Sequence, residues 1–316
     1  MIETHHFAFL REFIKTETGI VLRDDQLDFA AKRLKPLCRQ YNTLDTGVLI
    51  SKAEDEGETE LRRELLELVL ENETIFFKGF EAFKFIRDVL IPQFSEGVPG
   101  SKKQLRIWCA ACGVGQDPYS LSIFIKDGIP ALANWEVEIL ATDLSQSAID
   151  RASRGEFNQL EVSRGLPAKL LIRHFSRAGM NWVVNENLKD NLNFFKHNLI
   201  QEWKGLGRFD LIMLRDVLTY FPDDTQDKLA GKLIDHLNPG GYVLVGQNET
   251  LRGLERVEDA PVPCYQLGRD ARVQPGSSLA DNQDPEALDS LDAHLDTIQR
   301  ALGELDGESF DNNTKD

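Results

Sequence analysis

The segment from Leu105 to Pro118, LRIWCAACGVGQDP, constrains the fold of this chain more than any other stretch. It begins with alternating bulky residues, passes through Gly113-Val114-Gly115, and continues after Pro118 into the helical pattern YSLSIFIKDG. Glycines adopt backbone angles closed to other residues and place no side chain in the way, so a cofactor can approach the backbone amides where the helix starts. The segment therefore predicts a strand, a glycine turn and a helix at a cofactor site, although G-x-G alone also occurs in unrelated tight turns.

Strand and helix patterns alternate after residue 104. Strands are predicted at 104–110, 136–142, 192–197, 209–214, 241–247 and 262–268, and helices at 117–127, 145–154, 167–175 and 224–237. This alternation predicts an α/β domain with a mostly parallel sheet and helices on both faces. Residues 155–190 interrupt it with turn signals at Ala178-Gly179 and Glu186-Asn187. They predict a small antiparallel β insertion that either recruits a peptide at a strand edge or simply covers the sheet.

Residues 1–78 read as a separate helical domain, followed by the α/β domain at 79–270. Apolar stripes predict a helix that ends at Gly19, a second at about 24–40, a third at 58–71 and another at 80–94. The second helix carries a basic cluster of Lys32, Arg33, Lys35 and Arg39. That cluster is either a solvated face or a dock for an acidic partner.

The last segment, residues 271–316, is predicted to be an acidic linker followed by an amphipathic helix. Leucine and isoleucine recur there at alternating spacings of three and four, which is a short heptad seam. Because acidic residues flank the seam, we expect the helix to dock on another protein or on this chain rather than to pair with its own copy.

Net charge and composition exclude several classes of function. The chain of 316 residues has a net charge of −16, which disfavours nucleic-acid binding. No apolar run approaches the roughly 18 residues of a membrane span, and the N-terminus lacks a secretory pattern. The four cysteines are too scattered for a disulfide framework. Cys109 and Cys112 form a C-x-x-C pair, but no second Cys/His pair lies at zinc spacing, so neither metal nor disulfide is expected. These features together predict a cytoplasmic protein without direct membrane insertion.

Asp143, at the end of the second predicted strand, narrows the choice of cofactor. An acid at this position usually binds a ribose diol, although it would otherwise cap the following helix, a task that Ser145 can also perform. Two cofactor classes fit: dinucleotides and S-adenosylmethionine. No third glycine follows Gly115, and Asp117 at the helix mouth would repel a pyrophosphate, so the pattern favours the cationic S-adenosylmethionine.

Seven motifs, including the glycine turn and the strand end at Asp143, together resemble the chemotaxis receptor methyltransferase family (CheR type). The resemblance is collinear from about residue 7 to 268. The motifs are Asn72-Glu73-Thr74-x-Phe-Phe, RIWCAACGVGQDPYSLSI, ATDLSQSAIDRASRGEF, RGLP with FFKHNLI, FDLIMLRDVLTYF and LNPGGYVLVGQNE. The resemblance implies a Rossmann-like S-adenosylmethionine-dependent methyltransferase sheet with a helical N-terminal domain and a β insertion. It implies methylation of glutamate side chains on the cytoplasmic helices of chemoreceptors, with S-adenosylhomocysteine as product.

The resemblance also implies site residues, position by position. Its cofactor contacts fall on Asn72, Thr74, Lys78, Gln116, Asp143, Asn198, Leu199, Leu214 and Arg215, beside the turn of Gly113 and Gly115; Lys78, Arg215 and Tyr220 match its transfer site. Lys78 stands in place of arginine, Gln116-Asp117 in place of two glutamates, and Asp216 in place of asparagine. Since lysine cannot form a bidentate clamp on a carboxylate, a weak or inactive S-adenosylmethionine-binding regulatory protein remains the alternative.

A glutamate carboxylate is already a nucleophile at neutral pH and a sulfonium methyl is already an electrophile. The expected catalysis is therefore alignment and exclusion of water, without a general base or a Ser-His-Asp arrangement.

Overall fold

A computed structural model describes residues 3–43, 45–70, 74–95 and 103–267. Asn72 and the predicted linker and helix at 271–316 lie outside these residues, so the expectations for them stay predictions. Within the described residues, none of the helices has the length and the apolar character needed to cross a membrane.

Ten strands and eleven α-helices make up the described chain. The first four helices are α1 (Thr4–Thr18), α2 (Leu27–Gln40), α3 (Thr46–Ala53) and α4 (Thr59–Leu70), and α5 (Phe80–Phe85) continues through a π-helical turn (Ile86–Leu90) into α6 (Ile91–Ser95). The rest follow in the order β1 (Gln104–Ala110), α7 (Gln116–Gly128), β2 (Glu136–Asp143), α8 (Gln146–Arg154), β3 (Glu156–Phe157), α9 (Gln159–Ser163), α10 (Ala168–His174), β4 (Phe175–Ala178), β5 (Asn181–Val184), β6 (Leu192–Lys196), β7 (Phe209–Leu214), α11 (Asp223–Asp235), β8 (Leu237–Val245), β9 (Glu255–Arg256) and β10 (Cys264–Gln266).

The central sheet has seven strands in the order β6-β2-β1-β7-β8-β10-β9. The first five strands in that order pair in parallel, and β10 pairs antiparallel with both β8 and β9. The predicted α/β fold and all six predicted strands are confirmed. Strand β8 begins at Leu237, four residues earlier than predicted, because the strand runs through Pro239-Gly240-Gly241.

Residue alternation along β1 explains why the sheet is covered on both faces. Ile107 and Cys109 belong to the apolar core that includes α7, whereas Trp108 and Ala110 belong to the core on the opposite face that includes α11. A parallel strand buried on both faces needs apolar residues at every position. This is the reason for the near-continuous apolar run in the glycine-turn motif.

The N-terminal helices α1 to α4 share a core of their own. Helix α1 ends where Gly19 takes a left-handed φ of 75° and its N–H donates to the carbonyl of Lys15 at 2.8 Å, as predicted. Helix α2 buries Ala30 and Leu34. Lys32, Lys35 and Arg39 of its basic cluster are exposed. Helix α3 was not predicted from the sequence, because its eight residues span little more than two turns. The signal for it was Asp45, whose carboxylate accepts the N–H of Gly47 and caps the helix.

The insertion at 155–190 is only partly β. Its three strands form a separate antiparallel sheet in the order β3-β5-β4, with the predicted turn at Gly179. Helix α10 confirms the helix predicted at 167–175, whereas α9 was not predicted, and the turn predicted at Glu186-Asn187 is a 3-10 turn at Glu186–Leu188. Gly165 of the RGLP motif lies so close to the backbone carbonyl of Phe76 that a Cβ would meet it at 2.1 Å. The insertion is therefore packed directly against the segment that leads to Lys78.

Candidate functional site

A cavity of about 600 Å³ opens at the carboxyl ends of β1, β2 and β7 and reaches α2 and α4 of the helical domain. Strand order reverses between β1 and β7, since the chain proceeds from β1 to β2 on one side and returns to β7 on the other. In open α/β sheets, ligands bind in the crevice at this reversal. The volume also suits a small organic molecule.

Asp143 ties the glycine turn to the second strand. Its Oδ2 accepts the N–H of Gly113 at 2.8 Å and its Oδ1 accepts the N–H of Ser145 at 2.9 Å. Ser145 itself caps α8, because its hydroxyl accepts the N–H of Ala148 at 3.1 Å. Asp143 is thus not needed as a helix cap, and its carboxylate faces the cavity. Burial raises its pKa above the usual aspartate value, while its hydrogen bonds from the backbone oppose that shift.

Eight of the predicted site residues line this one cavity: Thr74, Lys78, Gly113, Asp143, Asn198, Leu199, Arg215 and Tyr220. Three others do not form its wall. Gly115 starts α7 at φ 99° and a Cβ there would meet Ala152 at 3.1 Å. The buried side chain of Gln116 accepts a hydrogen bond from the Thr74 hydroxyl, and Leu214 packs into the core beside α11. We infer that these three support the wall from behind.

The predicted transfer residues lie at the junction of the segment 74–79 with the loop after β7. Lys78 Nζ lies 2.8 Å from Asp216 Oδ2, and Arg215 Nη1 lies 3.5 Å from Asp117 Oδ1. Arg215 also donates from Nη2 to the backbone carbonyl of Lys78 at 2.5 Å. The Arg215 side chain is therefore tied to the backbone of Lys78, and the acids at positions 117 and 216 balance the charge of the two cations.

Backbone strain is concentrated around this cavity. Ala111, Phe77 and Asp216 have φ values of 58°, 52° and 58°, in a region that residues other than glycine rarely adopt. Ala111 and Asp216 line the cavity directly, and Phe77 immediately precedes Lys78. Such conformations persist where the surroundings impose them, and they cluster at functional sites.

Glu249 explains how the loop after β7 keeps its shape. This buried carboxylate accepts the N–H of Asp216 at 2.8 Å and that of Gly246 at 2.7 Å through Oε2, and the N–H of Thr219 at 3.3 Å through Oε1. The loop that it holds carries Arg215, Asp216 and Tyr220. Sequence reasoning gave Glu249 no role, although a lone acid in the motif LVGQNE, directly after an apolar strand, was a usable signal.

The opposite end of the cavity is held by Lys232 of α11. Its ammonium group donates to the carbonyls of Leu199, Ile200 and Gln201 at 3.1, 2.8 and 2.6 Å. Asn198 donates its amide to the carbonyl of Glu17 at the end of α1, at 2.8 Å. The loop after β6 is therefore held both by α11 and by the helical domain.

Cys112 lies in the cavity wall, where a thiolate would compete for an electrophilic methyl group. Burial raises the pKa of this thiol well above its usual value, with the nearby Asp143 carboxylate acting in the same direction. Cys112 therefore stays a protonated thiol at neutral pH, and the thiol is a much weaker nucleophile than the thiolate.

The helical domain contributes a wall that the sequence did not reveal. Leu37 and Gln40 of α2 and Arg63, Glu64 and Glu67 of α4 line the cavity. Arg63 donates to Glu60 and to Glu67, so its charge is satisfied within its own helix. Because these residues are more than 30 positions from the glycine turn, only the packing of helices onto the sheet brings them there.

The cavity suits S-adenosylmethionine better than a phosphate-bearing cofactor. Asp117 lies in the first turn of α7, where it would repel a pyrophosphate. Asp143 offers a carboxylate to a ribose diol, and the acids on the wall tolerate a cationic sulfonium. The backbone at Gly113 is accessible from the cavity. A Cβ placed on Gly113 would have Thr74 Cγ2 as its nearest neighbour, at 3.5 Å.

Comparison with known proteins supports the same cofactor. The family described as CheR methyltransferase, SAM binding domain, matches residues 72–262. Chemotaxis protein methyltransferase Cher2 of Pseudomonas putida is 30% identical over 269 residues, 82% of this chain and 97% of that protein. Chemotaxis protein methyltransferase 1 of Vibrio cholerae is 33% identical over 263 residues, 81% of this chain and 94% of that protein. The chain therefore belongs to the CheR methyltransferase family, and S-adenosylmethionine is its cofactor.

Proposed function

We propose that this protein transfers methyl groups from S-adenosylmethionine to glutamate side chains on the cytoplasmic helices of chemoreceptors. The observation that carries the proposal is the pair of cations, Lys78 and Arg215, in one cavity with the glycine turn and Asp143. An anionic acceptor needs cations near the methyl donor, and the names of the relatives in chemotaxis suggest which acceptor this is.

The mechanism needs alignment rather than acid–base catalysis. When bound, S-adenosylmethionine supplies a methyl group on a cationic sulfur. Asp143 and the turn at Gly113 fix the cofactor end of the site, while Lys78 and Arg215 orient the acceptor carboxylate and Tyr220 borders the place of transfer. The carboxylate is ionised at neutral pH, so the protein has only to hold it in line and exclude water.

The alternative of a weak or inactive regulatory protein rested on Lys78 and Asp216. These two departures from the family pattern contact each other at 2.8 Å, so the site retains a cation with an anionic partner. That arrangement favours the active enzyme, and we keep activity as the proposal.

Labelling with tritiated S-adenosylmethionine tests the proposed function. A soluble fragment of a chemoreceptor helical bundle is incubated with the protein, and mass spectrometry locates the added methyl group. We expect label on glutamate side chains, released as methanol by mild base because carboxyl esters are base-labile. A fragment with alanine at the modified glutamates is the matched control. Base-stable label, or label retained by the alanine fragment, would overturn the assignment of glutamate as acceptor.

Lys78→Ala tests the role of the cation in transfer. We expect about a tenfold loss of kcat/KM, because a hydrogen bond to a charged group is lost at a partly exposed position. The free energy of unfolding should change by less than about 1 kcal/mol, since exposed ion pairs contribute little. Transfer at the wild-type rate would remove Lys78 from the site.

The outward face of α2 lies next to the cavity and gives a test of receptor docking. Lys32, Lys35 and Arg39 are exposed, while Pro36 and Leu37 of the same helix line the cavity. Replacing the three basic residues by glutamate should raise KM for an acidic receptor fragment, by an amount that shrinks as salt is added. Cofactor affinity, measured by calorimetry, should stay constant. A loss that is independent of salt would point to misfolding.

A further inference from the structure

The ion pair of Lys78 and Asp216 is the most accessible charge pair in the cavity wall. Lys78 Nζ and Asp216 Oδ2 lie 2.8 Å apart, and each side chain is 42% exposed. Both residues line the cavity that holds the cofactor turn. An anion that enters the cavity therefore meets Lys78 already bonded to a carboxylate.

The other cations of the wall differ from Lys78 in their exposure, their partners or their position. The side chain of Arg215 is only 9% exposed and lies beside Asp117. Arg63 forms an ion pair with Glu67, and Arg151 forms one with Glu161. Lys196 is exposed, but it is the register neighbour of Asp143 on the adjacent strand and so lies at the proposed cofactor side of the cavity. Among these cations, Lys78 is the half-exposed one on the proposed transfer side of the cavity.

We propose that Asp216 acts as an internal stand-in for the acceptor carboxylate, which must displace it from Lys78 before transfer. The inference rests on the proposed function, because it takes the acceptor to be a glutamate. No bond is made or broken in this exchange: one carboxylate replaces another on the same ammonium group. Asp216 thereby sets the affinity for the acceptor and weakens it relative to an uncharged residue at this position.

The backbone geometry allows this exchange without moving the loop. Glu249 accepts the N–H of Asp216 at 2.8 Å, and both residues pack so closely against Gly246 that a Cβ there would clash with them. The backbone of Asp216 is therefore fixed, while its half-exposed side chain can rotate away from Lys78. Its φ of 58° is a conformation that asparagine also adopts readily. Asp216→Asn thus removes the charge and keeps the shape.

Kinetics of Asp216→Asn test the proposal directly. We expect KM for a chemoreceptor helical fragment to fall about fivefold, which is the upper range for releasing a half-exposed ion pair. The Kd for S-adenosylmethionine, measured by calorimetry, should change less than about twofold by the same reasoning. Asp88→Asn is the matched control, because Asp88 forms an ion pair with Arg87 at 2.6 Å, is 52% exposed and does not line the cavity. It should leave KM unchanged.

A double-mutant cycle separates displacement from simple charge repulsion. Binding of the receptor fragment to protein loaded with S-adenosylhomocysteine is measured for wild type, Asp216→Asn, Lys78→Met and the double variant. Asp216→Asn should strengthen binding only where Lys78 is present. An equal gain in the Lys78→Met background, or no gain in either, would overturn the proposal. If the wild-type protein transfers no methyl to glutamate, the proposed function fails and this inference with it, whereas normal transfer with an unchanged KM in Asp216→Asn overturns the inference alone.

Discussion

Glu249→Ala is expected to lower the free energy of unfolding by about 3–5 kcal/mol, because it leaves up to three backbone N–H groups without their acceptor. Two of these bonds, from Asp216 and Gly246, are short at 2.8 and 2.7 Å, and the glutamate is only 4% exposed. Water cannot readily replace a buried acceptor of this kind. Urea unfolding of the protein without cofactor measures the effect, and a change under about 1 kcal/mol would contradict it.

The same change should impair transfer in whatever fraction stays folded. The loop that Glu249 holds presents Arg215 and Tyr220, the proposed transfer residues. Relaxation of the loop would misplace them relative to the methyl donor, and small misplacements are costly in rate. Glu249→Gln keeps one acceptor oxygen and should recover part of the stability. Glu258→Ala, at an exposed position of the same region, is the matched control and should change neither property. Full activity of folded Glu249→Ala would show that the loop holds its shape without it.

The central sheet could be predicted because its signals are local. The strand, glycine turn and helix at 105–118 follow from alternation of residues and from the absence of a Cβ at two positions. The cap of α8 by Ser145 also follows from local chemistry, since the hydroxyl reaches the N–H of a residue three positions later. Sequence reasoning succeeded for these two elements because their local patterns are strong, whereas it missed the equally local caps of the short helices α3 and α9.

The composition of the cavity wall could not be predicted in the same way. Glu249 and Asp216 are separated by 33 residues, and Lys78 and Asp216 by more than a hundred, so their contacts depend on which strands become neighbours. The wall formed by α2 and α4 likewise depends on how the helices pack against the sheet. Resemblance to a family supplied the individual positions, but not the fact that two departures from the family pattern meet in one ion pair.

The helices inside the β insertion show a different limit. Helix α9 (Gln159–Ser163) was not predicted, since a segment of five residues is too short to separate a helical from an extended pattern. The signal available for α9 was Asn158 followed by Glu161, which form a capping box. Helix α10, in contrast, matches the helix predicted at 167–175.

Asp143→Ala is expected to weaken S-adenosylmethionine binding by about 100-fold, from loss of a charged hydrogen bond to the ribose and of support for the glycine turn. In the structure the carboxylate accepts the N–H groups of Gly113 and Ser145 while facing the cavity. Calorimetry measures the affinity, and thermal unfolding without cofactor reports the structural cost separately. Asp45→Ala is the matched control, because it also removes a carboxylate that accepts a backbone N–H, but at the start of α3.

The pH dependence of binding gives an independent test of the same carboxylate. Burial raises the pKa of Asp143 above its ordinary value, so acidification protonates it at a higher pH than an exposed aspartate. Only the ionised form accepts hydrogen bonds at both oxygens, so cofactor affinity should be full at neutral pH and fall as the pH drops through this raised pKa. Asp143→Asn carries no proton equilibrium, so its weaker affinity should stay level over the same range. An equal decline in Asp143→Asn would assign the titration to another group and remove Asp143 from the ribose role.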